Sequence, residues 1–368
     1  MRKHRHVQLA RMIENPEATA SAADLNYATD GREGISRHRR GKSFAYYAAD
    51  GRPVRDRDTL ARIRALAIPP AWTHVWISAD PHGHIQATGR DARGRKQYRY
   101  HPKWREVRDA VKYYRLVDFC HALPRIRRAV EHDLACKCLC KRKVVATIVS
   151  LMERAQLRVG NEEYARTNQS YGATTLRNHH VKVRGPMLEL SYRGKSGIER
   201  RVRVRDRKLA AIVRQCHDLP GRRLFEYIDD DGNVRPVSSQ DVNDYLRDVS
   251  GGPFTAKDYR TWAATMAAAM LFCALEHPGS VRGCKQCIKE VLGKVSAQLG
   301  HTPTVCRKSY IHPQIIDDFT DNRLEARLSR GVRRAVRNHD GDEIDVVALR
   351  AVEPIVARYL DTKRRARA

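Results

Sequence analysis

The chain has 368 residues and a globular composition, enough for two or three domains and for a sizeable buried core. Its 70 lysines and arginines against 42 aspartates and glutamates give a formal charge of +28 and a pI near 10.1. That excess goes beyond what solubility asks for and points to a polyanionic partner, nucleic acid first.

Met1-Arg-Lys-His-Arg-His6 carries charge with no apolar stretch behind it. It is therefore not a secretory signal, and a cytoplasmic, nucleoid-associated protein is expected. From Phe44 to about Pro102 short alternating segments are separated by turns: Phe44-Ala-Tyr-Tyr47, Asp50-Gly51, Val75-Trp-Ile-Ser78 and Pro81-His-Gly83. This pattern predicts a mainly β region with one short helix at Asp58 to Leu66, broken by Pro69 and Pro70. After Trp104 a 3.6-residue period takes over, with Val144, Val145, Ile148, Leu151 and Met152 on one helical stripe. The expected fold is α+β: a small β-rich domain at 1–103, a larger mainly helical domain at 104–318 and a charged extension at 319–368.

Within the helical part, Leu188 to Tyr192 and Arg201 to Val204 flank Arg193-Gly-Lys-Ser-Gly197, which reads as a β-hairpin with a glycine-bearing turn. The run Trp262 to Leu275 is too short for a membrane span, which takes about 20 residues, and reads as a buried Ala-rich helix. Ile288, Val291, Leu292, Val295 and Leu299 form another helical stripe that Gly300 should end. From Asp321 onward 12 basic residues stand against 8 acidic ones, so the tail is expected to be helical and surface-bound, fraying into a basic end. Of the nine cysteines, Cys136, Cys138 and Cys140 alternate, and Cys284 and Cys287 form a Cys-x-x-Cys. No second matched pair completes a zinc set, so reduced structural thiols are expected.

A set of basic and hydroxyl residues sits at the punctuation points of this pattern. Arg158 lies at a helix-to-helix corner before Val159-Gly160-Asn161, and Lys195 lies at the hairpin tip. Thr255-Ala-Lys-Asp258 resembles a capping box that opens the Ala-rich helix, putting Lys257 and Arg260 on one face near its start. Cations there oppose the helix macrodipole, which hints at a purpose beyond helix stability. His301 follows Gly300, then Thr302-Pro303 reads as the N-cap and first residue of a helix with Tyr310 on its second turn. Fixed cations of this kind suit a phosphoryl centre in transfer, whose charge spreads over the non-bridging oxygens. Gly194-Lys195-Ser196 and Gly41-Lys42-Ser43 tempt a P-loop reading, but Glu189 and Ser36 stand where the first glycine must be.

The joint pattern resembles the type IB DNA topoisomerases, in their compact bacterial and poxvirus-like branch, from about Phe44 to Phe319. It is carried by Ile68-Pro-Pro-Ala-Trp72, Gly83-His-Ile-Gln-Ala-Thr-Gly89 and Arg93-Gly-Arg-Lys-Gln-Tyr-Arg-Tyr-His101 in the first part. In the second it is carried by Arg158-Val-Gly-Asn-Glu162 with Tyr164, Lys257-Asp-Tyr-Arg-Thr261, and Gly300-His-Thr-Pro303 followed by Tyr310. The resemblance implies a monomer that closes as a C-shaped clamp on double-stranded DNA and works without metal or ATP. Tyr310 is then the nucleophile that forms a 3′-phosphotyrosyl bond, Arg158, Arg260 and His301 bind the non-bridging oxygens, Lys195 is the general acid, and Lys257 supports the site. It also implies DNA contacts by Gln97, Tyr98, Tyr100 and Tyr164. Asn161 stands where the poxvirus enzymes carry a lysine, so their cleavage preference does not transfer, and the tail beyond Tyr310 is longer than theirs.

Two other readings compete. A tyrosine recombinase shares the Arg, Lys, His and Tyr chemistry but usually carries His-x-x-Arg where this chain has Lys257-x-x-Arg260. A non-catalytic nucleic-acid-binding protein accounts for the charge but not for the ordered motifs.

Overall fold

The computed structural model describes residues 15–324, 326–337 and 344–366. The Met1–His6 segment and the basic end at Arg367 lie outside the described residues. The chain divides into two compact units, one closing at Tyr113 and the other opening at Tyr114.

The first unit contains helix α1 (Pro16–Ala22), strands β1 (Gly34–Arg40) and β2 (Ser43–Tyr47), helix α2 (Arg57–Ala65) and strands β3 (Thr73–Ser78), β4 (Ile85–Arg90) and β5 (Lys96–Tyr100). The strands form one antiparallel sheet in the order β2-β1-β3-β4-β5. Its small core joins Ile35, Val75, Ile77 and Ala87 to Ile63 of α2, a helix that Asp56 caps through the Thr59 N–H. Strand β1 lies before the predicted β region and carries Arg37-His-Arg-Arg40 where alternating apolar residues would have announced it. Arg37 explains the exception. Its guanidinium donates to the carbonyls of Ile68, Pro69 and Trp72, so an arginine on the sheet satisfies the chain that the two prolines bend.

A long helix, α3 (Pro102–Asp133), runs across the division between the units. The second unit continues with α4 (Lys141–Ala155), α5 (Glu162–Asn168), strands β6 (Val181–Arg184), β7 (Met187–Arg193) and β8 (Glu199–Arg205), and α6 (Arg207–His217). A short hairpin of β9 (Glu226–Ile228) and β10 (Val234–Pro236) leads to α7 (Ser239–Ser250). Then come α8 (Ala256–Ala274), α9 (Val281–Leu299), α10 (Pro303–Ser309), α11 (Pro313–Thr320), α12 (Ala326–Ala335) and α13 (Val346–Ala366). The single predicted hairpin is thus part of a three-stranded sheet, β6-β7-β8, since β6 supplies only four residues before the Gly185 turn.

Helix α8 is the centre of this unit. Beyond its first turn it is buried almost all round, with Trp262, Ala264, Met266, Ala268 and Ala269 inaccessible to solvent, as expected for a helix enclosed by others. The C-terminal region helps enclose it, contrary to the expectation of a surface-bound tail. Leu328, Val332, Leu349, Val352, Val356 and Leu360 belong to the same core. Glu353 of α13 takes both terminal nitrogens of Arg127, whose Nε reaches Glu153, and Glu153 also takes a two-pronged bond from Arg350. Tyr359 Oη donates to the buried carboxylate of Asp318 at 2.6 Å. Charge counting hides the reason: Val346, Leu349, Val352, Val356 and Leu360 recur every three or four residues among the arginines.

Because Leu349 is fully buried, Leu349→Ala is expected to lower unfolding stability by roughly 2–5 kcal/mol. A denaturant titration checks this, and a loss near zero would return the tail to the surface.

Candidate active site

Four of the predicted residues meet directly in the second unit. Arg158 sits in the loop between α4 and α5, which leaves α4 through Gln156 in the left-handed region at φ 53°. The loop is fixed by its own backbone, with the N–H groups of Ala173 and Thr174 donating to the carbonyls of Arg158 and Val159 at 2.8 and 2.7 Å. This close approach requires glycine at 172, where a Cβ would lie 2.6 Å from the Gly160 nitrogen.

Arg260 is buried at 5% exposure in the second turn of α8. The start of that helix is set by Asp258, whose carboxylate accepts from the Thr255 N–H and hydroxyl and also pairs with Arg115. One terminal nitrogen of Arg260 donates to the Gln156 carbonyl, and the other to the Leu299 carbonyl at 2.6 Å and to His301 Nε2 at 2.7 Å. Arg158 donates from Nη2 to the Gly300 carbonyl at 3.1 Å and lies 3.0 Å from His301 Nδ1. Gly300, at φ 64°, ends α9 as its sequence position predicts, and Thr302 caps α10 through the Val305 N–H.

Tyr310 differs from expectation in one respect. It lies at the C-cap of α10 rather than within the helix, with φ −134°. Pro313 supplies the reason: it pushes His312 out of the helical region, so the chain must leave α10 and start again. The Tyr310 ring stacks on the His301 imidazole, centroids 4.4 Å apart, and the Arg260 guanidinium carbon is 5.5 Å from its centre. Thr265, fully buried one turn beyond Arg260, holds the exit. Its hydroxyl donates to the Tyr310 carbonyl at 3.2 Å and accepts from the His312 N–H at 3.1 Å. Nothing in the local sequence marked Thr265, since a threonine in an Ala-rich helix reads as packing.

Lys195, at the tip of the β7–β8 hairpin, and Lys257, on the exposed side of α8, line the same cavity of about 450 Å³ as Arg158, Arg260, Tyr164 and Tyr310. Its lining holds four cations and no carboxylate. Burial and the adjacent Arg158 pull the Arg260 guanidinium down to about 10, still charged at neutral pH. Burial, then Arg260, Arg158, Lys195 and Arg200, push the His301 imidazole down to about 3, so the ring is neutral. The arrangement therefore concentrates positive charge beside a phenol and presents donors rather than bases, which suits an anionic oxygen cluster.

Of the remaining predicted residues, Tyr164 lines this cavity and three lie in the first unit. Asn161 caps α5 through the Tyr164 N–H, which places Tyr164 on the cavity. Gln97, Tyr98 and Tyr100 are on edge strand β5 of the first unit. Gln97 donates to Asp91 at 2.9 Å, Tyr98 is 39% exposed and stacks on Tyr100, and Tyr100 packs on Trp104. All nine cysteines are free, and no group of three or more His, Cys, Asp or Glu side chains able to hold a metal occurs among the described residues. No helix among them is long and apolar enough to cross a membrane.

A tyrosine enclosed by arginines on a helical scaffold, in a chain that also carries an antiparallel β unit, suits chemistry at a phosphate, and comparison with known proteins defines it further. Residues 101–331 match the family described as eukaryotic DNA topoisomerase I, catalytic core, and residues 43–91 match the bacterial DNA topoisomerase IB N-terminal domain. The chain is 34% identical to DNA topoisomerase 1B of Acanthamoeba polyphaga mimivirus over 297 residues, covering 79% of this chain and 88% of that protein. It is 19% identical over 237 residues to DNA topoisomerase I of monkeypox virus and to DNA topoisomerase 1B of vaccinia virus, covering 63% of this chain and 72% of theirs. The chain belongs to the type IB DNA topoisomerases. It is accordingly a type I topoisomerase, and its basic charge has DNA as its partner.

Thr265→Val keeps the volume but removes the hydroxyl's bonds to the Tyr310 carbonyl and the His312 N–H, a cost of roughly 1–3 kcal/mol. DNA cleavage should fall with it, more than DNA binding, in a single-turnover assay. The neutral His301 gives a second expectation. The unfolded chain takes up this proton near pH 6.5, the folded chain only near 3. The imidazole therefore contributes stability above about pH 6.5 that is lost as pH falls towards 3. Thermal unfolding from pH 7 to pH 4 should show a smaller drop in Tm for His301→Gln than for wild type.

Proposed function

We propose that this enzyme relaxes both positive and negative supercoils by cutting and resealing one strand through Tyr310. The Tyr310 oxygen attacks the scissile phosphorus, a 3′-phosphotyrosyl bond forms, and the 5′-oxygen leaves with a proton from Lys195. The nicked duplex then rotates, and the 5′-hydroxyl reverses the attack. The phosphodiester energy is kept in the protein linkage, so the cycle draws on neither ATP nor a metal ion.

The observation that carries this reading is the contact of Arg158 and Arg260 with His301 beneath the Tyr310 ring, beside a cavity whose lining has no carboxylate. The two guanidiniums, and the His301 imidazole whose nitrogens face them in the free enzyme, serve as donors to the non-bridging oxygens once a phosphate draws the arginines to itself. Each cation removed should cost on the order of 10²- to 10³-fold in cleavage rate. Lys195, on a hairpin tip, protonates the alkoxide leaving group, worth about 10²- to 10⁴-fold. Lys257 supports the site from the start of α8, and Tyr164 contacts DNA beside it. Gln97, Tyr98 and Tyr100 approach DNA from the β unit, Gln97 by exchanging Asp91 for a base edge and the tyrosines through their phenols. The protein acts as a monomer on the chromosome in the cytoplasm.

The test is relaxation of positively and negatively supercoiled plasmid in EDTA without ATP. Wild type is expected to relax both signs and Tyr310→Phe neither, while both bind DNA. If neither protein relaxes plasmid yet both bind, the catalytic reading fails in favour of simple binding. Relaxation requiring paired sites would favour a recombinase.

A further inference from the structure

The inner face of the β7–β8 pair is apolar except at its tip. Leu188 faces Val204 and Leu190 faces Val202, then Tyr192 faces Arg200. An arginine thus takes the inward position next to the hairpin turn that carries Lys195, and it has no carboxylate partner among the described residues. Its stem packs under the turn, with Cγ 3.2 Å from where a Gly194 Cβ would stand. On the other side Cδ lies 3.1 Å from the corresponding point at Gly300, and Nη1 donates to the Ala297 carbonyl at 3.3 Å. The guanidinium also lies close to the buried Tyr192 phenol, its partner across the strand pair. One side chain therefore connects the hairpin tip to the end of α9, one residue before His301.

We propose that Arg200 is a positioning residue for Lys195: it fixes the hairpin against the α9 C-terminus and so places the ammonium at the leaving oxygen. This rests on the reading of Lys195 as general acid. In the step concerned, the Tyr310 oxygen–phosphorus bond forms as the phenolic proton passes to solvent. The P–O5′ bond breaks, and the Lys195 proton ends on O5′. Both glycines belong to the device, since a side chain at 194 or 300 would occupy the space of the arginine stem. Its backbone partner is also informative. The Ala297 carbonyl, in the last turn of α9, accepts from the Gly300 N–H and takes the guanidinium as a second donor, where the negative end of the helix favours a cation.

The experiment is single-turnover cleavage of a duplex at a site mapped with wild type, made with either oxygen or sulfur at the bridging 5′ position. A thiol ionises near ~8.5, far below an alcohol, so sulfur leaves as thiolate without needing a proton. Arg200→Ala is expected to slow cleavage of the oxygen substrate by about 10- to 100-fold, as for a misplaced catalytic group. On the sulfur substrate the defect should vanish, as it should for Lys195→Ala. Arg200→Lys should recover part of the rate. The double variant Lys195→Ala/Arg200→Ala should be no slower than Lys195→Ala alone. A defect of Arg200→Ala that persists with sulfur, while Lys195→Ala is rescued, overturns the proposal and leaves the general-acid reading standing. Failure of sulfur to rescue Lys195→Ala removes that reading and this proposal with it.

Discussion

A buried guanidinium compensated by backbone carbonyls, rather than by a carboxylate, holds the active centre together. Arg260 donates to Gln156 at the end of α4 and to Leu299 at the end of α9, and Arg158 donates to Gly300 just beyond. Helix C-termini leave carbonyls free and carry partial negative charge, so they can stabilise a cation without neutralising it. An aspartate in the same place would have satisfied the arginine and consumed its charge. Because dipoles do the work, the net positive charge survives for a phosphate, and three separate chain segments are bound into one site by the same bonds.

That solution demands that α4 and α9 both end within reach of one side chain, and α8 makes it possible. Its alanines let neighbouring helices approach closely, and its buried Thr265 ties the Tyr310 turn to the same helix that supplies Arg260. The charged network from Arg127 through Glu153 to Glu353 and Arg350 then joins α3, α4 and α13 behind it. Groups on opposite sides of α8 thus share one rigid reference, which is what positioning to a fraction of an ångström requires.

Much of this was legible in the sequence, for reasons that differ by element. Gly300, Thr302-Pro303 and Asp258 announce helix ends through local backbone chemistry, and the structure places all three as read. The α8 run and the β7–β8 hairpin follow from apolar content and turn residues. The misses share another cause. Strand β1 and the C-terminal helices are rich in arginine, and their inward positions are set by partners far along the chain: the bent Pro69 turn for Arg37, Glu153 for Arg350. The position of Tyr310 at a helix end likewise turned on Pro313, three residues further on. For the site, Arg158, Arg260, His301 and Tyr310 were identifiable as a set only through the family resemblance, because each alone is an ordinary residue. Thr265 escaped because its value lies in two bonds to backbone groups more than 40 positions away.

The enclosure of α8 by α12 and α13 has a consequence for how the protein comes into being. Synthesis runs from the N-terminus, so a nascent chain already contains every residue of the site while the two helices that cover α8 are still unmade. During that interval Trp262, Met266 and the alanine surface have no lasting cover, and the cationic cleft has no firm backing. The order of translation therefore delays a fully backed cationic centre until α12 and α13 have been made.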